Sequence, residues 1–248
     1  MNDWLLSVVI PAYNEENRIG STLDRIVSYL QSRNLGFELL VVDDGSQDRT
    51  SEIIHQFAAR YHLQSQIRVS RCEHNRGKGH AVRQGMLLAK GAYALLTDAD
   101  LSAPIEEISK LEDEVIHGPC EIAFGSRDVE GSQVEVHQSW VRETGGKIFN
   151  RVMCLVTRLP YRDTQCGFKL FQMNRCKTIF QKQTIGDFGF DVEILYIANK
   201  WGLRMKEVPV VWRHQEDSRV HLLRDAVAML WDLVKIRWND WRGRYEST

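Results

Sequence analysis

The sequence predicts an α/β fold built on a Rossmann-like, mainly parallel sheet with helices on both faces. Three observations predict it. Short β-branched runs alternate with amphipathic stretches through the first half, polar turn clusters close the runs, and no low-complexity segment interrupts the alternation. The chain has 248 residues, 43% of them apolar, which is enough for one substantial core at the upper end of single-domain size. One domain over 1–248 is therefore expected.

The elements follow in order. Ser7 to Ile10 is a β-branched run stopped by Pro11, the signature of a short buried strand. Ile19, Leu23, Ile26, Val27 and Leu30 then recur at helical spacing until Asn34 to Gly36. Phe37 to Val42 predicts a second strand, closed by Asp43-Asp44-Gly45-Ser46. After it, Asp48 or Thr50 is placed to cap a helix carrying Ile53, Ile54, Phe57 and Ala58. Next come a strand over Gln66–Ser70, a helix over Gly79–Ala89 and a strand over Ala92–Thr97. A helix over Pro104–His117 and a strand over Glu121–Gly125 complete the half. The second half is less regular: a helical stretch Trp140–Val156, a strand Gly167–Phe171, a helix Asp191–Trp201 and a strand Met205–Val211 are expected. It has the character of an extension of the same domain, with 1–125 as a ligand-binding half, 126–215 as a second half and 216–248 as a C-terminal amphipathic helix.

In sheets of this kind ligands bind beyond the carboxyl ends of the strands. Three polar clusters lie there: Tyr13 to Glu16, Asp43 to Asp48 and Asp98 to Ser102. Each alone reads as an ordinary loop, but their joint occurrence points to one site. Asp98-Ala99-Asp100 sets two carboxylates at i and i+2 after a strand, where extended geometry turns both to one side. Such a pair suits Mg2+ or Mn2+, which take one or two carboxylates and fill the shell with water and phosphate oxygens. The alternative is a solvated acidic turn before Pro104. Asn75-Arg76-Gly77-Lys78-Gly79 opens a helix, where Lys78 or Arg76 can meet a diphosphate, or where the glycines simply make a basic surface turn. The pattern matches neither a dinucleotide fingerprint nor a P-loop.

Taken together, Pro11-Ala12-Tyr13-Asn14-Glu15, Asp43-Asp44-Gly45-Ser46, Gly77-Lys78-Gly79 and Asp98-Ala99-Asp100 resemble the family 2 glycosyltransferases of the GT-A fold. The second half is similar to the dolichyl-phosphate glucosyltransferases, with the mannose synthases next. The residues are Gly125-Ser126-Arg127, Asp163 to Phe171, Phe190-Asp191-Val192-Glu193, Val211-Trp212 and Glu216 to Arg219. The resemblance implies a donor site of Pro11, Tyr13, Glu15, Asp43, Asp44, Lys78, Asp98 and Asp100, with Asp43 toward the base and Asp98 and Asp100 on the metal. It implies a nucleotide-sugar donor, UDP-glucose ahead of GDP-mannose, and a polyprenyl phosphate acceptor whose dianion attacks with inversion. Arg127 and then Arg142 are expected to cradle that phosphate, with ion pairs to Asp128 or Glu143 as their alternative; Asp191 stands where related enzymes carry a base. Ser102 replaces a glutamine that mannose synthases use as a further metal ligand. The stretch before Ser7 also lacks the membrane anchor of eukaryotic relatives.

Composition narrows the partners. A formal net charge of -1 gives no global attraction to nucleic acid. Five cysteines without a C-x-x-C pair read as reduced thiols of a cytoplasmic protein, and the implied lipid acceptor makes a peripheral position at the cytoplasmic membrane face the expectation. No run approaches a membrane span and no signal peptide is read. In the C-terminal helix, Leu223, Val227, Leu230, Val234, Trp238 and Trp241 form one stripe. From Leu223 to Leu230, packing on the core or in a homodimer interface is expected, and from Trp238 a membrane or interface contact. The competing functions are a transferase with a soluble acceptor and an inactive nucleotide-sugar-binding module.

Overall fold

The computed structural model describes residues 5–136, 153, 155–213 and 222–247. Among these, the first half follows the predicted alternation: β1 (Leu6–Ala12), α1 (Ile19–Ser32), β2 (Phe37–Asp43), α2 (Thr50–Arg60), β3 (Ile67–Arg71), α3 (Lys78–Leu88), β4 (Tyr93–Leu96), α4 (Ile108–Val115) and β5 (Ile122–Ser126). A short β6 (Gln133–Val136) follows. Then come β7 (Lys169–Gln172), α5 (Met173–Lys182), α6 (Phe190–Lys200), β8 (Met205–Pro209), β9 (Val211–Arg213) and α7 (Leu222–Trp241).

The main sheet has the order β3-β2-β1-β4-β7-β5-β8. All its neighbours pair in parallel except β7, which runs antiparallel to both β4 and β5. Because strand side chains alternate, each strand feeds two layers. Val8, Ile10, Leu39, Val41, Leu95, Ala123 and Leu170 face α1, α2 and α4. Val9, Ala94, Leu96, Ile122, Phe124 and Phe171 face α3, α5, α6 and α7. Both layers draw residues from both halves of the chain, so the halves share one core.

Three expectations change. The predicted strand Met205–Val211 breaks after Pro209: Val210 still donates its N–H to the Ser126 carbonyl of β5, but its own carbonyl accepts the Gln133 N–H, and β9 leaves to pair with β6 in a separate two-stranded sheet. Helix α5 was not anticipated; its apolar Met173, Cys176, Ile179 and Phe180 pack inward at helical spacing. In the described part of α7 the buried residues are Met229, Leu233, Ile236 and Asn239, so Leu230, expected on the core or in a dimer interface, does not pack on the core. The stretch Trp140–Val156 falls largely outside the described residues, as do Arg142 and Glu216 to Arg219. Cys72, Cys120, Cys166 and Cys176 are free thiols.

Candidate active site

The site forms where the strand ends meet. Ala12 is opposite Asp43 and Asp43 opposite Arg71, so the loops after β1, β2 and β3 leave the sheet at one level. Lys169 begins β7 opposite Leu96 of β4 and Phe124 of β5. The antiparallel strand thereby delivers the loop before it to the same edge, beside Asp98 and Arg127.

Hydrogen bonds join the first two loops. Asn14 donates its N–H to Ser46 Oγ at 2.8 Å, Glu15 to Thr50 Oγ1 at 2.7 Å and Glu16 to Asp48 Oδ2 at 3.1 Å. Asp48 also accepts the Thr50 N–H at 3.0 Å, but the N-cap position is Arg49, which makes no side-chain cap bond, so neither Asp48 nor Thr50 is the cap residue expected from sequence. Glu15 is engaged by Arg18. Asp43 is fully buried and takes the Ser46 N–H on Oδ1 at 2.8 Å. Its Oδ2 accepts no hydrogen bond among the described residues, with the Arg71 guanidinium 3.5 Å away. A buried acceptor left open is costly without a ligand donor. Asp44, by contrast, spends its carboxylate on the backbone N–H groups of Arg76 and Gly77 at 2.8–3.1 Å, so it shapes the next loop.

That loop is fitted to the second half of the chain. Gly77 has φ of 98°, and a Cβ there would stand 2.3 Å from the Gly186 carbonyl; one on Gly79 would stand 2.7 Å from Phe190 Cβ. The Gly186 carbonyl also accepts the His80 N–H. The glycines thus serve close packing against 185–190 as well as any approach of an anion. Lys78 leaves the start of α3 to lie 2.6 Å from Asp98 Oδ1. Burial opposes its charge, but Asp98, Asp191 and Asp100 together raise its pKa above the ordinary lysine value.

Asp100 takes the Ser102 N–H on Oδ1 at 2.9 Å. Burial, then the charge of Asp98, pushes its carboxyl above the usual range. Two oxygen-donor side chains, Asp98 close enough to disfavour the ionisation of Asp100, with the Lys78 ammonium as counter-charge, suit a hard divalent ion. Asp44, Cys72 and His80 also stand within 4.8 Å of one another. That sulfur- and nitrogen-containing set is chemically different, and the Asp44 oxygens in it already accept the loop amides.

The second half contributes groups whose partners sequence reasoning missed. Arg127 forks onto Asp163, with Nε to Oδ2 at 2.7 Å and Nη2 to Oδ1 at 2.9 Å, and stacks over Trp212 at 4.9 Å. The partner that the described residues give Arg127 is Asp163 rather than the adjacent Asp128 weighed from sequence, and Glu143 lies outside the described residues. Asp163 is buried, yet the Arg127 charge more than offsets burial and holds its carboxyl below the ordinary range. Lys169, fully buried, pairs with Asp191 at 2.6 Å and donates to the Cys166 carbonyl. Burial pushes Asp191 up against the pull of Lys169 and Lys78. Between these pairs lies Gly167, where a Cβ would stand 2.2 Å from Asp98 Oδ2. The Asp-Thr-Gln-Cys-Gly-Phe-Lys block therefore touches the first acidic residue directly. Glu193 is a structural acceptor, taking bonds from Thr184, Ile185 and Tyr245.

Known proteins resemble this chain in sequence and fold. Residues 7–177 match the family described as Glycosyl transferase family 2. Dolichyl-phosphate beta-glucosyltransferase of Dictyostelium discoideum is 34% identical over 94% of this chain and 73% of its own length. The enzymes of that name from Homo sapiens and Saccharomyces cerevisiae are each 34% identical over 94% of this chain and 74% of theirs. Among solved structures, glucosyl-3-phosphoglycerate synthase of Mycobacterium tuberculosis, in complex with Mn2+ and UDP-glucose, superposes with a TM-score of 0.67. It is 18% identical, over 93% of this chain and 79% of that one.

Proposed function

This chain belongs to glycosyl transferase family 2, and we propose that it moves glucose from UDP-glucose to the phosphate of a dolichyl-type polyprenyl phosphate, inverting the anomeric carbon. The observation that carries the reading is the contact of the Asp163–Phe171 block with the acidic pair, through Gly167 against Asp98. Relatives at 34% identity across nearly all of the chain, each a dolichyl-phosphate beta-glucosyltransferase, support the acceptor and the sugar.

In this reading Pro11, Tyr13 and Glu15 border the nucleoside, and the open Oδ2 of Asp43 receives an imide N–H of the base. Asp44 acts one step back, holding the loop that carries Lys78. Asp98 and Asp100 hold Mg2+ or Mn2+, which when bound supplies Lewis-acid neutralisation of the diphosphate. Lys78 adds a fixed ammonium beside the same oxygens, opposing the negative charge that grows on the diphosphate as its bond to the anomeric carbon breaks. The incoming bond forms from an acceptor phosphate oxygen. With a second pKa of about 6, that phosphate is largely dianionic at neutral pH and requires no proton removal. Asp191, tied to Lys169, accordingly positions groups and does not serve as a base. Arg127, oriented by Asp163 and Trp212, and Arg142, which lies outside the described residues, cradle the acceptor phosphate.

The test is transfer of radiolabelled sugar from UDP-glucose into an organic-phase lipid phosphate by the full chain with dolichyl phosphate in detergent and Mn2+. GDP-mannose and a water-soluble phosphoglycerate acceptor are run in parallel. Label entering the lipid from UDP-glucose, and lost with excess chelator, is expected. Label that stays in water, or enters only from GDP-mannose, overturns the assignment.

A further inference from the structure

Helix α7 segregates its side chains by charge. At 100° per residue, Leu230, Trp231, Val234, Trp238 and Trp241 fall in an arc of about 100°. All five are exposed, at 42%, 70%, 58%, 53% and 76%. Lys235 and Arg242 flank the arc on one side, with Arg242 over the Trp238 ring at 5.8 Å, while Arg237 on the other side donates to the Tyr196 hydroxyl at 3.0 Å. The acidic residues described on this helix turn the other way. Asp240 accepts from Tyr196 at 2.6 Å and Lys200 at 2.5 Å, and the Asp232 carboxylate lies against Gly189. The solvent face from Leu230 to Arg242 is thus apolar and basic with no acid, against a body whose net charge is only -1. Among the described residues no helix is long and apolar enough to cross a membrane.

We propose that this face docks in the plane of a lipid bilayer carrying anionic headgroups, with the tryptophans at the headgroup boundary and the basic flank on the phosphates. A three-tryptophan stripe beside cations fits that boundary, where an amphipathic ring meets both acyl chains and water. Position strengthens the assignment. The inner side of α7 rests on Gly189, next to Asp191, and Met229 receives the Gln165 side chain at 3.7 Å. The exposed stripe therefore lies about one helix diameter, roughly 10 Å, from the acceptor side of the site. The inference rests on the reading of a lipid phosphate as acceptor: the bilayer that holds the acceptor meets the protein beside the residues that use it.

Flotation with phosphatidylcholine vesicles containing about 30 mol% phosphatidylglycerol tests the surface. The full chain should float with them, and Trp231→Ala/Trp238→Ala/Trp241→Ala should bind roughly tenfold or more weakly with an unchanged thermal midpoint. Lys235→Glu/Arg242→Glu should lose about fivefold per charge on anionic vesicles and little on neutral ones. The triple variant should keep its turnover on a short, water-soluble polyprenyl phosphate and lose it on vesicle-embedded dolichyl phosphate. Undiminished flotation of the triple variant overturns the proposal. So does a concentration-dependent dimer that the same substitutions abolish in a chain that does not float. A chain that floats but glucosylates neither acceptor sinks the assigned reaction and leaves the surface standing.

Discussion

Asp100 shows how one side chain ties acidity to ligand binding. Its folded-state pKa is raised above the unfolded value of about 3.9 by burial and by Asp98. Stability gained from its proton is therefore present below that value and lost as the pH rises through the raised one. A divalent ion must displace the same proton, so Mn2+ affinity should fall as the pH drops through that window. Asp100→Asn should weaken binding at neutral pH and flatten the slope, and turnover should fall by roughly a hundredfold or more. Electron paramagnetic resonance titration of free Mn2+ measures the first effect, and a pH-independent affinity in the parent chain would contradict it. The thiols give a second expectation. Burial pushes Cys166 and Cys176 up to about 12, so neither should be alkylated in the native protein at about pH 8, while both react in urea. Peptide mass spectrometry after iodoacetamide treatment reads the difference. At this scale the sequence exposed the acidic pair and Lys78, whose residue types announce their chemistry. It did not reveal that Asp163 holds Arg127 or that Lys169 holds Asp191, because a buried ion pair across 22 or 36 residues leaves no periodic trace.

At the scale of elements, Lys169 and Asp191 join the first residue of β7 to the first turn of α6. Removing one partner strands a buried charge, whereas removing both leaves an apolar contact of similar size. Lys169→Met should cost about 3–5 kcal/mol, and Lys169→Met/Asp191→Leu should recover most of it. Urea midpoints of the single and double variants decide this; equal losses would mean that the pair contributes little as a pair. The elements that were legible are those whose apolar residues repeat with one clear period, such as β1, α1 and β2. The reversed direction of β7 was not legible, since a strand reads the same in either sense. Nor was the split between β8 and β9, where an apolar run continues through Val210 while its backbone turns to the neighbouring strand.

For the whole molecule, the mixed core layers predict one cooperative transition. Six of the seven tryptophans lie at or beyond residue 140, so their fluorescence reports the second half, while far-UV circular dichroism reports both. The two urea curves should coincide; an earlier fluorescence transition would show the second half melting by itself. The α/β class was legible because alternation survives along the chain, and the candidate site because its motifs follow strands whose carboxyl ends lie on one side of the sheet. The order of the sheet has a consequence for synthesis. β4 is flanked by β1 on one side, but its other neighbour, β7, comes only at Lys169–Gln172. At about 5–20 residues per second, a ribosome needs roughly 4–15 s to pass from Leu96 to Gln172. Throughout that interval one edge of β4 has no partner strand, and its backbone N–H and C=O groups are open to pairing with another chain until β7 is made.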